Sequence, residues 1–200
     1  MPKITDLSQL DPEQTYSYAD YLTWQIKETI ELIKGKVMLM SPAPSVRHQR
    51  IERKLLVGID LHLKNKLCEI FPAPFDVRLY DRNKSVLSSQ EIFTVVQPDL
   101  CVICNPEILD KQGCNGAPDW IIEILSPGNS KREMQIKYQL YQECGVQEYW
   151  LVYPEQQAIH QFVLDSAGQY RLKAMFADKW ASSYLFPDLS IDLIDLFASR

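Results

Sequence analysis

The stretch that decides the fold is Trp120-Ile121-Ile122-Glu123-Ile124-Leu125, near the middle of the chain. It is short and rich in β-branched residues, and it lies between Pro118 and Ser126-Pro127-Gly128. These features predict a strand that is buried on both faces of a sheet. A lone carboxylate is costly in such a place unless a cation or hydrogen-bond donors meet it. Glu123 is therefore expected to serve a metal ion, a proton transfer or a buried ion pair.

The length and composition of the chain predict a single globular domain. The chain has 200 residues, of which 46% are hydrophobic, and no apolar stretch is long enough to predict a membrane span. The first 14 residues lack the apolar region of a signal peptide. The five cysteines are an odd number without framework spacing, which predicts reduced thiols in a cytoplasmic protein. The net charge of −5 argues weakly against tight nucleic-acid binding, although local charge matters more than the total.

The pattern along the chain alternates between helical and strand segments. Ile51, Leu55, Ile59 and Leu63 recur at four-residue intervals and predict an amphipathic helix. Other expected elements are a helix over 16–27, a hairpin over 31–40, a polar loop over 81–94, a strand over 98–104, a helix between a capping box at Ser130 and Gly145, and a hairpin over 159–176. This order predicts an α/β fold with a mixed β-sheet flanked by helices. We expect residues 1–14 to be an N-terminal extension and 15–200 to be the domain.

A second acidic residue, Asp99, stands at the start of the strand that precedes the Glu123 strand, 24 positions earlier. Strands joined by a short excursion are commonly neighbours in space. Two carboxylates on neighbouring strands can bracket one hard divalent ion such as Mg²⁺, which completes its coordination with water and phosphate. Asp119, which is also preceded by proline, lies about 13 Å from Glu123 along the same strand and is too far away to share that ion.

Lys137 adds a cation to this pair. On the predicted helix it lies about 60° from Met134 and about 40° from Tyr141, so it shares the apolar face that should pack on the sheet. A lysine at such a position can extend to the edge of the interface, or its ammonium can reach Glu123 and a bound phosphate. Two carboxylates and a lysine around a metal can hydrolyse a phosphodiester.

These residues resemble a known motif. Pro98-Asp99, Glu123-Ile124-Leu125 and Lys137 are similar to a variant PD-(D/E)XK nuclease motif in which the lysine has migrated to the following helix, because Leu125 stands where the lysine is expected. Further strings, over roughly residues 15 to 195, resemble the bacterial Uma family of restriction-endonuclease-like proteins. They include Tyr18-Ala19-Asp20-Tyr21-Leu22, Arg47-His48-Gln49, Phe71-Pro72-Ala73-Pro74 and Gly145-Val146-Gln147-Glu148-Tyr149-Trp150-Leu151-Val152.

The resemblance implies a restriction-endonuclease-like fold and a nuclease that depends on Mg²⁺ or Mn²⁺ and acts on nucleic acid, with DNA as the expected substrate. Asp99, Glu123 and the backbone carbonyl of Ile124 are then the expected metal ligands. Lys137 is expected to orient the attacking water or contact the phosphate, and Glu31 to assist. The resemblance leaves a homodimer open, because nucleases of this fold often dimerise to cut two strands.

Several residues have more than one interpretation. The family usually carries Asp four positions before the helix lysine, where this chain has Glu133, and the capping box explains Glu133 without catalysis. Asp76 is expected to point outward, and His48 to be a solvated or capping histidine. Two other functions stay open: a nucleic-acid-binding or interaction module that keeps the fold without turnover, and a structural ion pair between Glu123 and Lys137.

Overall fold

A computed structural model describes residues 3–40, 44–80, 89–128 and 130–198. The predicted loop over 81–94 falls partly outside these residues, since only 89–94 are described. The helices are α1 (Tyr18–Tyr21), α2 (Val46–Leu63), α3 (Lys131–Cys144) and α4 (Leu193–Phe197). None of them combines the length and the apolar character that crossing a bilayer requires.

The strands of the described residues form two larger sheets and one small one. In chain order the strands are β1 (Ile30–Ile33), β2 (Lys36–Leu39), β3 (Glu69–Pro72), β4 (Asp76–Arg78), β5 (Val95–Val96), β6 (Leu100–Ile103), β7 (Leu109–Asp110), β8 (Gly113–Asn115), β9 (Trp120–Ile124), β10 (Glu148–Tyr153), β11 (Ala158–Leu164), β12 (Tyr170–Phe176), β13 (Trp180–Ser182) and β14 (Ser190–Asp192). The central sheet has the order β12-β11-β10-β9-β6-β3, and the first sheet has the order β2-β1-β5-β4-β8-β7. Strands β13 and β14 form a separate two-stranded sheet.

Both sheets are mixed. In the central sheet β9 and β10 run parallel, joined through α3, whereas β6 runs antiparallel to β9. The predicted β6–β9 neighbourhood is therefore confirmed, as is the predicted mixed α/β architecture with flanking helices. A parallel pair needs a crossover connection, and α3 supplies it.

Two apolar clusters cover opposite faces of the central sheet. On one face α2 buries its four-residue stripe, as its spacing predicts, against alternate residues of β9 and β10; this cluster includes Ile51, Leu55, Ile59, Leu63, Trp120, Ile122 and Trp150. On the other face the remaining alternate residues, which include Ile121 and Tyr149, meet Tyr141 of α3 and Val77 and Val96 of the first sheet. Strand β9 is therefore enclosed on both faces, as its apolar sequence predicts.

The ends of α3 follow from local sequence. The Ser130 hydroxyl accepts from the backbone N–H of Glu133, and the Glu133 carboxylate accepts from the backbone N–H of Ser130, which confirms the capping box. Gly145 ends the helix in the left-handed region with φ 91°, a conformation that glycine adopts without a Cβ clash. These two signals fix where α3 begins and therefore the phase of its inward face.

The helix predicted over 16–27 is wrong beyond its first turn, because α1 covers only Tyr18–Tyr21. The Thr23 hydroxyl donates to the carbonyl of Asp20 at 2.7 Å, which competes with helix continuation. The Trp24 ring packs on Tyr16 at 5.1 Å, and the backbone N–H of Gln25 donates to Ile4. Tertiary contacts therefore end the helix before its predicted limit.

The expectation of five reduced thiols is also wrong. Cys68 and Cys104 form a disulfide, while Cys101, Cys114 and Cys144 are free and buried. Glu69 pairs with Ile103 across β3 and β6, and the same register continued by one residue places Cys68 opposite Cys104. The pairing depends on the contact between two strands far apart in sequence, so cysteine spacing alone could not predict it.

The N-terminal residues contact the domain. The ammonium of Lys36 donates to the carbonyls of Pro12, Glu13 and Gln14. The domain boundary at residue 15 stays a prediction.

Candidate active site

The end of β9 brings two carboxylates together. Leu100 pairs with Ile122 across β6 and β9, and this antiparallel register, continued by one residue, places Asp99 opposite Glu123. Side chains that face each other across antiparallel strands have Cβ atoms about 4.5–5.5 Å apart. Asp99 and Glu123 line the same cavity of about 520 Å³.

Lys137 reaches this cavity from α3. Its ammonium lies 2.9 Å from Oε1 of Glu123 and 3.0 Å from Oε1 of Glu31. The same oxygen of Glu123 accepts a hydrogen bond from the hydroxyl of Tyr141 at 2.6 Å. Because Lys137 and Tyr141 are four positions apart, one face of α3 holds both donors above β9.

Asp99 is held by the backbone of the neighbouring strand. Its Oδ2 accepts from the N–H of Ile124 at 2.6 Å and lies 3.2 Å from Nε2 of His48. His48 is buried in the first turn of α2, and its Nδ1 faces the Glu52 carboxylate at 3.7 Å. Asp99 is therefore fixed through one oxygen.

Glu31 enters the cluster from β1 in the first sheet. Its Oε1 accepts from the backbone N–H of Gln97 at 2.9 Å and from Lys137. The Gln97 side chain donates to Oδ1 of Asp76, whose other oxygen accepts from the Tyr18 hydroxyl. The predicted outward orientation of Asp76 is therefore wrong, because two internal donors hold it. Asp76 supports the segment that carries Gln97 and does not line the cavity.

Among the described residues, Oδ1 of Asp99, Oε2 of Glu123 and Oε2 of Glu31 accept no hydrogen bond. Each of the three carboxylates is thus anchored through one oxygen, while the second oxygen stays available. Within the same part of the chain, no group of three or more His, Cys, Asp or Glu side chains is arranged to hold a metal by itself. A Mg²⁺ site that uses one or two carboxylates and takes its other ligands from water and phosphate fits this arrangement.

The electrostatics of the cluster are dominated by burial. Burial raises the pKa of Glu123 to about 7; Lys137 opposes this rise, whereas Asp99 and Glu31 add to it. Burial alone would lower the pKa of Lys137, but Glu123 and Glu31 raise it above its ordinary value, so the ammonium stays charged. Glu31 and Glu123 share one ammonium, and Asp99 is a further carboxylate in the lining. The acidic side chains that line the cavity therefore outnumber its cations, even when His48 is protonated.

The sequence did not predict that His48 belongs to this cluster, because a solvated or capping histidine was expected there. Burial opposes a charge on His48, but the hydrogen bond and the charge of Asp99 raise its pKa above the ordinary value. The only local signal was its place one turn before the buried stripe of α2, since His48, Ile51 and Leu55 lie on one helical face. Tyr141 was noted only for its position on the inward face of α3, and Gln97 acts through a backbone N–H that no sequence pattern indicates.

The structure brings Glu31, Asp99, Glu123 and Lys137 into one cavity, and Ile124 and Glu133 line it too. Ile124 donates its N–H to Asp99, while the ligand role of its carbonyl stays a prediction, as do the catalytic roles of the other residues. Asp119 lies elsewhere, because its carboxylate accepts from the N–H of Cys104 and from the Gln147 amide.

The central mixed sheet with α2 on one face and α3 on the other, and with carboxylates where β6 and β9 meet, defines a restriction-endonuclease-like fold. A crystal structure described as "a putative nuclease belonging to DUF820" from Anabaena variabilis has the same fold, with a TM-score of 0.67 and 22% sequence identity. The similarity covers 91% of this chain and 97% of that one.

The family can be stated more narrowly. A family model named Uma2, described as "Putative restriction endonuclease", matches residues 18–194, and the chain belongs to this family. No match to a curated protein was found.

Proposed function

We propose that the chain is a metal-dependent nuclease that hydrolyses phosphodiester bonds in DNA. The observation that carries this proposal is one cavity lined by Asp99, Glu123 and Glu31, in which the Lys137 ammonium bridges Glu123 and Glu31. Membership of the Uma2 family supports the same reaction. An excess of buried carboxylates is costly, and a divalent cation would balance it.

Mg²⁺ or Mn²⁺ suits the residues of this cavity. Asp99 and Glu123 would hold the ion through the oxygens that accept no hydrogen bond from the described residues, with the carbonyl of Ile124 as a third protein ligand. Carboxylate and carbonyl oxygens are the donors that both ions prefer. When bound, such an ion polarises the phosphate and lowers the pKa of a coordinated water.

The residues of the chain have separate roles in this proposal. The Ile124 N–H and His48 fix Asp99, and Tyr141 fixes Glu123, so that both ligands are preorganised before the ion binds. The Lys137 ammonium contacts the phosphate or orients the attacking water, where it stabilises negative charge that develops on the phosphoryl oxygens. Glu31 holds Lys137 in place through its 3.0 Å ion pair.

Two other functions compete with this proposal. A structural ion pair accounts for Lys137, Glu31 and Glu123, but it does not explain why Asp99 lines the same cavity. A nucleic-acid-binding or interaction module without turnover is favoured by the lack of a lysine at position 125. Metal binding distinguishes the nuclease from the ion pair, and turnover distinguishes it from the binding module.

Asp99→Asn and Glu123→Gln are each expected to weaken Mn²⁺ binding and to abolish plasmid nicking, because each removes the charge of one ligand while keeping its size. Calorimetric titration measures binding, and a nicking assay in Mn²⁺ measures turnover. Asp188→Asn is the matched control, since the exposed Asp188 carboxylate pairs with His62 and Lys66 outside the cavity.

If the parent binds Mn²⁺ but cuts neither DNA nor RNA, the nuclease proposal fails and the binding module replaces it. If Asp99→Asn and Glu123→Gln nick as well as the control, the activity comes from another site.

His48→Ala is expected to weaken Mn²⁺ binding about tenfold to a hundredfold, because residues that orient a metal ligand contribute this much. His48→Gln should retain most of the affinity, since its amide nitrogen can donate to Oδ2 of Asp99. The same calorimetric titration compares the two variants. Equal losses in both would show that His48 does not act through this hydrogen bond.

The cytoplasmic location and the homodimer stay predictions. Three of the five cysteines are free and buried, as a reducing compartment permits, whereas the Cys68–Cys104 disulfide is more typical of oxidising compartments. Light scattering on the purified protein checks the oligomeric state.

A further inference from the structure

A second groove of about 560 Å³ lies beside the catalytic cavity. One wall is the β1–β2 hairpin with Ile33, Lys34 and Lys36, and the other is α3 with Arg132, Ile136 and Leu140. Met38 and Glu133 line both the groove and the cavity. The groove therefore adjoins the cavity that holds Glu31 and Lys137.

The groove is basic although the protein as a whole is acidic. Three cations line it, Lys34, Lys36 and Arg132, whereas the single acidic residue in its lining is Glu133. The Glu133 carboxylate is already engaged by the backbone N–H and the hydroxyl of Ser130. Local positive charge of this kind attracts polyanions even when the net charge of the protein is negative.

Lys34 occupies a rigid position. It has φ 52° and Gly35 has φ 78°, which is the backbone of the two-residue hairpin turn. The Lys34 N–H donates to the Thr94 hydroxyl at 3.0 Å, and the Gly35 carbonyl accepts from the N–H of Tyr16 at 2.9 Å. A Cβ at position 35 would lie 2.2 Å from Cγ2 of Thr15, so the turn is tightly enclosed.

The cations differ in their availability. The Lys36 ammonium is occupied by three backbone carbonyls. Lys34 pairs with Glu143 at 2.7 Å, but both side chains are more than half exposed, and an exposed pair of this kind is easily exchanged. Arg132 is exposed on the first turn of α3. Arg132 can therefore contact a ligand directly, and Lys34 can do so at the cost of its exposed pair with Glu143.

We propose that this groove binds the sugar–phosphate backbone of the substrate strand on one side of the scissile phosphate, with Lys34 and Arg132 contacting phosphates. This proposal rests on the proposed nuclease function, because the strand must enter the catalytic cavity. Lys34 is three residues from Glu31 on the same hairpin, about 10 Å along a strand.

The test measures nucleic-acid binding apart from turnover. A fluorescein-labelled DNA duplex is titrated by anisotropy in Ca²⁺, a hard cation that takes the same oxygen ligands. The combined Lys34→Gln and Arg132→Gln variant is expected to bind at least about tenfold more weakly at about 0.1 M salt, with a shallower salt dependence, since each phosphate contact contributes a slope of about −0.9.

In Mn²⁺ the Lys34→Gln/Arg132→Gln variant should show a raised KM and an unchanged kcat. Glu143→Gln, which releases Lys34, should tighten binding. The combined Lys173→Gln and Lys179→Gln variant is the charge-matched control, because the two ammonium groups lie over Tyr184 and Trp180 outside the groove.

The outcomes separate the two proposals. If the parent binds DNA and the Lys34→Gln/Arg132→Gln variant binds like the Lys173→Gln/Lys179→Gln control, the groove proposal is overturned and the nuclease proposal is unaffected. If binding depends on Lys34 and Arg132 but the parent never cleaves, the nuclease proposal fails and the groove stands as a nucleic-acid site. If the parent binds neither DNA nor RNA, the groove proposal is overturned.

Discussion

Lys137→Met is expected to lower the free energy of unfolding of the metal-free protein by about 3–5 kcal/mol, because it leaves the buried carboxylates of Glu31 and Glu123 without their cation. Methionine keeps the length and the apolar stem of the side chain, so the loss reports the charge. Urea denaturation measures it. Nicking in Mn²⁺ is expected to fall about a hundredfold or more, the usual effect of removing a group that stabilises a charged transition state.

The same variant should bind Mn²⁺ at least as tightly as the parent, because the metal can take over part of the charge balance that the ammonium provided. Saturating Mn²⁺ should therefore restore more stability in Lys137→Met than in the parent, and about 2.7 kcal/mol is available at a hundred times the dissociation constant. Lys34→Met is the matched stability control, since its exposed pair with Glu143 is worth at most about 1 kcal/mol. A Lys137→Met protein as stable as that control would contradict a buried cation that balances the cluster.

Glu148→Ala is the second substitution with a large expected effect, and it acts on stability alone. Glu148 is fully buried and does not line the cavity of Asp99 and Glu123. Its carboxylate accepts five hydrogen bonds, from Trp150 Nε1, Gln161 Nε2, the Ser183 hydroxyl and the backbone N–H groups of Tyr184 and Leu185. These bonds fasten the segment after β13 to β10. Removal of the carboxylate leaves several buried donors without an acceptor, at a cost of about 1–3 kcal/mol each. We therefore expect the free energy of unfolding to fall by about 3 kcal/mol or more.

Glu148→Gln should cost less than Glu148→Ala. Its amide oxygen can still accept from the three donors that now bond Oε1, and the Ser183 hydroxyl can reverse its role, so the N–H of Leu185 is the donor left without a partner. The free energy of unfolding should rise in the order Glu148→Ala, Glu148→Gln, parent. Urea denaturation measures this order, with the same dependence of the free energy on urea concentration expected in all three. Glu155→Ala is the control, because Glu155 makes an exposed pair with Arg47. Equal stability of Glu148→Ala and Glu155→Ala would show that the network does not hold the C-terminal segment.

Local patterns predicted the elements that carry the candidate site. The apolar run around Glu123 predicted β9, the four-residue spacing from Ile51 to Leu63 predicted the buried face of α2, and the capping box predicted the start of α3. Once the start of α3 is fixed, the helical period alone turns Lys137 toward the sheet. These signals depend on neighbours in sequence, and the structure bears them out.

Features that depend on distant contacts could not be predicted in this way. The division of the strands into two sheets depends on which strands pair in space. The Cys68–Cys104 disulfide and the contact between His48 and Asp99 join residues that are 36 and 51 positions apart. His48 shows the difficulty, since a histidine on the first turn of a helix is usually solvated, and only the packing of α2 on the central sheet buries it. The short α1 has the same cause, because contacts of Trp24 and Gln25 outweigh helix propensity.

The position of Lys137 on α3 has a consequence for how relatives of this protein are detected. The ammonium meets the strand glutamate from a different element, 14 positions downstream, while Leu125 packs in the apolar cluster. A search that requires lysine two residues after the acid would overlook the chain. A search for an ammonium within about hydrogen-bonding distance of an acid at the end of a buried strand would retrieve it, whatever the spacing. The position of the ammonium in space is thus a better criterion for finding relatives of this chain than the position of the lysine in the sequence.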